Sequence, residues 1–338
     1  MRTETAEREK TMDESTDKAS FEESYLGISP NILASFPKFR PPVALYIFNA
    51  ELNQVKRYCK AEERLSKEKQ QEVADLSRQG ELFLARADYR VYAKLLSKKL
   101  GLVLTEPELS EQEVAEIFLE AFTARLDEFF NQPLEAMLEP LRKDIFVLCE
   151  YLWADSTRTQ SFKHVLGREH SLCRHSAISC FIGLALYILI VGESAGKGDW
   201  NDIALAFMLH DIGMVNVPDY VIDNPRPLFE NEKMRMREHP KLGSKMLERL
   251  KLKNPHIGHC VVQHHERLDG SGYPDRLHGD KISPVVKICA VADSFCAMTS
   301  NRVHAEAKPM TQAATELAKL THHYEEKILR ALLSYVLT

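Results

Sequence analysis

A chain of 338 residues with 44% hydrophobic and 28% charged residues is long enough to bury a large core and to divide into more than one domain. Its formal charge of -5 argues against a nucleic-acid polymer as the main partner, although an anionic small ligand meets a local field rather than the sum. Seven cysteines (Cys59, Cys149, Cys173, Cys180, Cys260, Cys289 and Cys296) form an odd set with no CxxC pair. That points to reduced, buried thiols in a cytoplasmic protein rather than a disulfide frame or a zinc knuckle.

The amino terminus has no apolar stretch of the kind a signal peptide needs, and its Glu, Asp, Lys, Ser and Thr content predicts a disordered tail over residues 1–35. A small α/β module is expected over 36–101. Val43–Phe48 and Gln54–Cys59 read as strands around a turn at Asn49–Asn53, Ser66–Arg78 as a helix, Leu82–Ala85 as a strand and Tyr89–Leu100 as a helix stopped by Gly101. This ββαβα unit has no clustered His, Cys or carboxylates, so it reads as a docking or regulatory domain.

Residues 102–160 read as a helical linker. Ser110 and Glu113 form a capping box ahead of Val114, Ile117, Phe118, Phe122, Leu126 and Phe129 in line. A second helix from Pro133 carries Leu134, Leu138, Leu141, Ile145, Leu148 and Leu152 in a seam. The seam fits either a homodimer through helix 133–152 or an intramolecular helical pair, and Pro140 inside it leans toward the latter. The apolar run Ala177–Gly192 falls short of the roughly 18–20 residues that span a bilayer, so a core helix is expected and no membrane span.

From about residue 160 histidines concentrate on helical patterns. His175 heads the buried stripe of Ile178, Ile182, Ala185 and Leu189. Ile203, Phe207 and His210 share a face beside Asp211, before Gly213 breaks the helix. His239 precedes Pro240, His264 and His265 close the stripe of Ile257 and Val261, and Asp293 follows Val286 and Cys289. Histidine nitrogens and carboxylates without thiolates suit a transition ion such as Fe, Mn, Co, Ni or Zn. Seven ligands exceed what one ion uses with a position left open, so two ions with one aspartate bridging fit the count. Such pairs lie roughly 3.5–4 Å apart and serve phosphoester displacement.

These residues, with Leu209-His210-Asp211-Ile212-Gly213, His264-His265-Glu266, Asp269-Gly270-Ser271-Gly272-Tyr273-Pro274 and Ala292-Asp293, resemble the HD-GYP phosphodiesterases over residues 163–338. The module over residues 40–100 also resembles, more weakly, a domain found ahead of such units. The resemblance implies a mainly α protein whose all-helical HD-GYP domain, 161–338, holds a dinuclear centre and hydrolyses cyclic di-GMP or cyclic GMP-AMP. It implies two divalent transition-metal ions, Fe or Mn foremost. His175, His210, Asp211 and Asp293 would hold one ion and Asp211, His239, His264 and His265 the other. Asp211, as the bridge, is the catalytic position, where the ions place the attacking hydroxide. Gly272, Tyr273, Pro274, Lys287 and Arg302 are the implied substrate-binding residues.

Departures from the family pattern carry expectations too. Ser171 stands where some members have a glutamate for a third metal, so two ions are predicted. Met214 replaces a lysine, Cys296 an aspartate, and Arg302-Val303-His304 the usual Arg-Pro-Tyr, changes that thin the substrate shell. The leading expectation is a cyclic dinucleotide phosphodiesterase with activity reduced by Met214 and Cys296. The alternatives are a non-catalytic cyclic-dinucleotide sensor or adaptor, and a general HD-type nucleotide phosphohydrolase.

Overall fold

The computed structural model describes residues 21, 24–37, 39–49, 54–106, 109–167, 171–192, 197–222, 226–302 and 305–338. Most of the predicted tail, the turn at 50–53, and Glu169, His170, Val303 and His304 lie outside the described residues. The chain divides into two units, Met1–Leu102 and Val103–Thr338.

The first unit is a four-stranded antiparallel sheet with helices. Strand β1 (Tyr25–Gly27) is followed by α1 (Pro30–Leu33), β2 (Leu45–Asn49), β3 (Gln54–Cys59), α2 (Lys67–Gln79), β4 (Leu82–Ala85) and α3 (Tyr89–Leu96). The strand order is β1-β4-β2-β3, and Leu26, Leu45, Leu82 and Leu84 are at most 1% exposed. The predicted tail therefore needs correction: residues 25–27 pair with Ala85, Leu84 and Phe83, because the edge of β4 offers backbone groups that need partners. Ser77 on α2 donates its hydroxyl to the carbonyl of Ile28 at 2.7 Å and ties this added segment to the helix.

The second unit is helical among the described residues: α4 (Glu111–Asn131), α5 (Glu135–Ala154), a 3-10 stretch (Ser156–Val165), α6 (Leu172–Val191), α7 (Lys197–Leu209), a 3-10 turn (Ile212–Asn216), α8 (Asp219–Ile222), α9 (Glu230–Met236), α10 (His239–Arg249), α11 (Pro255–Gln263), α12 (Pro284–Thr299), α13 (Met310–Ala318) and α14 (Glu326–Leu337). Helix α4 starts at the capping box read from the sequence: the Ser110 side chain accepts from Glu113 N, and Glu113 accepts from Ser110 N at 2.8 Å. Phe122, Phe162 and Phe181 build an aromatic core between α4, the 3-10 stretch and α6.

Helix α6 is long and apolar enough to cross a membrane by length and composition, yet it is 78% buried inside the protein, as a core helix must be. The seam on α5 is likewise filled from within. Leu138, Leu141, Ile145, Leu148 and Leu152 are at most 4% exposed against α4 and α7, so this seam forms an intramolecular helical pair. Leu134, 58% exposed, lies outside the seam because it is the N-cap of α5.

Helix α10 begins directly against the 3-10 turn that follows α7. A Cβ on Gly213 would stand 1.9 Å from the carbonyl oxygen of His239 and 2.6 Å from Gly243 N, so only glycine permits this approach. Gly213→Ala should therefore lower stability by roughly 1–3 kcal/mol as overpacking against a rigid neighbour. Thermal unfolding should register a drop of about 2–4 °C for each kcal/mol, and an unchanged midpoint would show that α10 is free to move.

Candidate metal centre

Each predicted ligand sits where a helix begins, ends or crosses another. His175 lies in the first turns of α6, whose N-cap is Ser171, with its hydroxyl accepting from Arg174 N at 3.1 Å. The position that would carry a third-metal glutamate thus serves as a cap. His210 and Asp211 follow α7, His239 opens α10, His264 and His265 follow α11, and Asp293 lies inside α12. His175, His210, His239 and His264 are at most 3% exposed, and Asp293 is 6% exposed.

Backbone carbonyls aim three of the rings. Nδ1 of His210 faces Phe207 O at 2.7 Å, Nδ1 of His239 faces Met236 O at 2.8 Å, and Nδ1 of His264 faces Cys260 O at 2.8 Å. A carbonyl only accepts, so each Nδ1 carries a hydrogen and each ring turns its Nε2 inward. Outer-shell bonds of this kind orient metal-ligating histidines.

The inward atoms form two groups joined by one carboxylate: Asp211, His239, His264 and His265, and His175, His210, Asp211 and Asp293. Asp211 Oδ1 lies 3.3 Å from His239 Nε2 and 3.4 Å from His264 Nε2. Its Oδ2 lies 3.6 Å from His175 Nε2 and 3.5 Å from His210 Nε2. Asp293 Oδ1 is 3.1 Å from His175 Nε2, and its Oδ2 is 3.9 Å from His265 Nδ1. The two Nε2 atoms of His239 and His264 stand 3.1 Å apart, and His210 Nε2 is buried with no hydrogen-bond partner. Lone pairs brought this close inside a protein need a cation between them.

Electrostatics favour the ligand states. Burial alone would raise both carboxyls, but the facing imidazoles overcome it and hold Asp211 and Asp293 well below the usual carboxylate range. Burial, helped by neighbouring histidines, lowers His239 and His265 and keeps them neutral. His175 and His210 go the other way. Burial opposes it, yet Cys296 and Asp293 raise His175, and Asp211 leads in raising His210 to about 10. Protons there provide the positive charge that the carboxylates demand, and a divalent cation supplies the same charge. The residues fit two transition ions bound through nitrogen and oxygen.

The predicted substrate residues fall in different places. Tyr273 stacks on His265 with ring centroids 4.7 Å apart, and the Tyr273–Pro274 bond is cis. Gly272 packs its backbone on the chain beneath, since a Cβ there would lie 2.5 Å from Arg267 N, Glu266 Cα and His265 O. Arg302 is exposed beyond the end of α12, its backbone paired with Ala305. Lys287 needs correction as a pocket residue: its ammonium donates to Glu325 at 2.9 Å and lines a small cavity with Glu266, Leu268 and Tyr324 that contains none of the seven candidate ligands. It lies six residues before Asp293 on α12, which turns it to another face of the helix.

Cys296 also needs correction. It is fully buried with its sulfur 3.7 Å from the His175 carbonyl, so it lies behind a candidate ligand rather than in the substrate shell. Burial pushes its thiol up, and His175 overcomes this to draw it below the usual range. Met214 is half-buried on the 3-10 turn, its N–H donating to Asp211 O at 2.8 Å.

Sequence reasoning missed two contributors. Glu266 is 2% exposed and accepts from Asp275 N at 2.7 Å and Leu277 N at 3.0 Å, which straps the Gly272–Pro274 turn in place. Its position directly after the two histidines was the available signal. Arg237, exposed and two residues before His239, holds its guanidinium 5.5 Å over the Tyr273 ring. Nothing in the spacing links Arg237 to Tyr273, which lies far along the chain.

A family model described as an HD domain matches residues 169–328. A cyclic di-GMP phosphodiesterase response regulator of Xanthomonas campestris is 38% identical over 131 residues, 38% of this chain and 35% of that protein. A cyclic di-GMP phosphodiesterase of Thermotoga maritima is 37% identical over 39% of this chain and 37% of its own length. A 3'3'-cGAMP-specific phosphodiesterase of Vibrio cholerae is 36% identical over 38% of this chain and 25% of its own. The matches thus span about a third of the relatives' length. Among solved structures, Bd1817, an HDG"Y"P protein from Bdellovibrio bacteriovorus, aligns with a TM-score of 0.61 at 14% identity, over 93% of this chain and all of that one, a likeness of fold alone. Residues 169–328, which match the HD domain model, contain the Gly272-Tyr273-Pro274 turn and all seven residues of the paired His and Asp groups.

Proposed function

We propose that this domain hydrolyses a phosphodiester bond of a cyclic dinucleotide, cyclic di-GMP or cyclic GMP-AMP, and releases the linear dinucleotide or mononucleotide. The observation that carries the proposal is Asp211, which presents one oxygen to each of two groups of inward imidazoles. His175, His210, Asp211 and Asp293 would hold one ion and Asp211, His239, His264 and His265 the other. When bound, such ions, iron or manganese foremost, activate water and stabilise charge on the reacting phosphate.

The chain's own residues do the rest. Tyr273, fixed by its stack on His265 and by the Glu266 strap, offers an aromatic face to a base. Arg237 stands over the Tyr273 ring, and burial, with the carboxylates of Asp211 and Asp293, raises the Tyr273 hydroxyl while Arg267 and Arg237 offset only part of that rise. Arg267 is committed to the carbonyls of His264 and Glu266, which leaves Arg237 to meet a phosphate in the place of the family's lysine. The 0–3% exposure of four imidazoles excludes bulk water from the far side of the centre. Cys296 acts on His175 from behind, so its effect falls on metal affinity rather than on substrate contact. The seven free cysteines agree with a reducing compartment.

One observation favours a sensor that binds without turnover: Met214 puts an uncharged side chain where a phosphate-holding lysine is expected. Elemental analysis and chromatography of cyclic di-GMP and cyclic GMP-AMP, on protein purified without oxygen, separate the readings. About two transition ions per chain with linear product, both lost in His264→Ala/His265→Ala, establish the phosphodiesterase. Intact loading with no product from either substrate overturns it in favour of the sensor.

Two further variants test the substrate side. Arg237→Ala should raise KM about tenfold while kcat falls less, the mark of a lost ground-state contact worth roughly 1.5 kcal/mol. An unchanged KM would remove Arg237 from the phosphate site. Met214→Lys should raise kcat/KM, by about tenfold for one charge-assisted phosphate contact. No gain would show that Arg237 already meets that need.

A further inference from the structure

The turn between α13 and α14 carries His322 and His323, which neither group around Asp211 uses. The carbonyl of His323 accepts from Leu268 N at 3.0 Å, which fastens this turn to the one that begins with Asp269. Asp269 divides its carboxylate. Oδ1 accepts from Ser271 N at 3.0 Å and from Ser271 Oγ at 2.6 Å, whereas Oδ2 stands 3.5 Å from His323 Nε2. The rings of His322 and His323 lie 4.0 Å apart, inclined at 51°, and one ligand atom from each of the three residues lies within 4.8 Å of the others.

The 3.5 Å separation exceeds the roughly 2.7–2.9 Å of a charge-assisted N–H···O bond. It is close to the edge of about 3.3 Å between corners of a tetrahedron whose ligand atoms lie about 2.0–2.1 Å from zinc. The Asp269 Oδ1 contacts leave Oδ2 pointing at the imidazoles, as an outer-shell bond orients a ligating carboxylate. Arg267 is the nearby opposing charge. Its guanidinium lies 4.9 Å over the Tyr324 ring and donates to the His264 and Glu266 carbonyls, so it tempers the affinity of the cluster without occupying it.

We infer that Asp269, His322 and His323 form a surface site for a divalent transition ion of zinc type, additional to the two groups that share Asp211. Two imidazoles and one carboxylate leave a tetrahedral ion one open position, suited to water or a small anionic ligand. The ion would clamp the turn at 321–324 to the turn at 269–274. Because that second turn carries Tyr273, stacked on His265, occupancy of the surface site would stiffen one wall of the candidate pocket.

The test is a titration of the metal-stripped full chain with zinc against a chromophoric chelator. It compares the natural chain with His322→Ala/His323→Ala, both alone and in the His264→Ala/His265→Ala background, with circular dichroism verifying the fold. The natural pair of histidines should add one zinc per chain in either background, and Asp269→Asn should weaken that ion at least tenfold. Equal zinc counts with and without His322 and His323 overturn the site. Failure of the Asp211 groups as metal sites would appear separately, as a count unchanged by His264→Ala/His265→Ala. Zinc should also slow amide exchange across 269–274 in the natural chain but not in His322→Ala/His323→Ala, and exchange indifferent to zinc overturns the clamp.

Discussion

The arrangement depends on a single carboxylate held between two sets of imidazoles. Asp211 follows α7 directly, and its two oxygens serve opposite sides, Oδ1 toward His239 and His264, Oδ2 toward His175 and His210. A carboxylate buried in that position is tolerable only with positive charge beside it. The surrounding structure can be read as the means of keeping those neighbours in place. Gly213, two residues on, lets α10 approach closely enough for His239 to reach the same oxygen as His264.

The histidines finish helices as well as aiming at Asp211. Helix ends leave carbonyls without an intrahelical partner, and the rings of His210 and His239 take up the carbonyls of Phe207 near the end of α7 and Met236 at the end of α9. His264 does the same toward Cys260 in α11, sharing that carbonyl with its own backbone N–H. One hydrogen bond thus terminates the helix, fixes the tautomer and directs Nε2 inward. Stability and chemistry are coupled here, because a histidine that lost its carbonyl would give up a helix-end hydrogen bond and would also point its other nitrogen elsewhere.

This coupling explains what was legible in the sequence. Ligand types at the ends of apolar stripes state both which side of a helix is buried and where the helix stops, so His210-Asp211 before Gly213, and His264-His265 after Ile257 and Val261, already pointed at one place. The capping box at Ser110 and Glu113 was equally readable, since both partners lie within one turn. Contacts between distant segments were not. Tyr25–Gly27 has too little pattern to declare a strand, and only the open edge of β4 makes it one. The pairing of Lys287 with Glu325, and the meeting of Asp269 with His322 and His323, depend on how α12 and the turn after α13 pack. The α5 seam was visible as a stripe, but a stripe does not say whether its partner lies in the same chain.

Cys296 and Met214 show why a departure from a family pattern has to be located before it is weighed. Both stand where the family pattern has a charged residue, and the sequence alone assigns both to the substrate shell. The structure separates them. Cys296 is buried behind His175, its thiol directed at the His175 backbone carbonyl, where it has no route to a substrate in front of the ring. Met214 lies on the turn that follows Asp211, half-buried, and the charge missing there has a counterpart in Arg237 above Tyr273. On the function proposed, the first change would bear on how tightly the centre holds an ion and the second on how a phosphate is met. The two effects are therefore separable, because one follows the metal and the other follows the substrate.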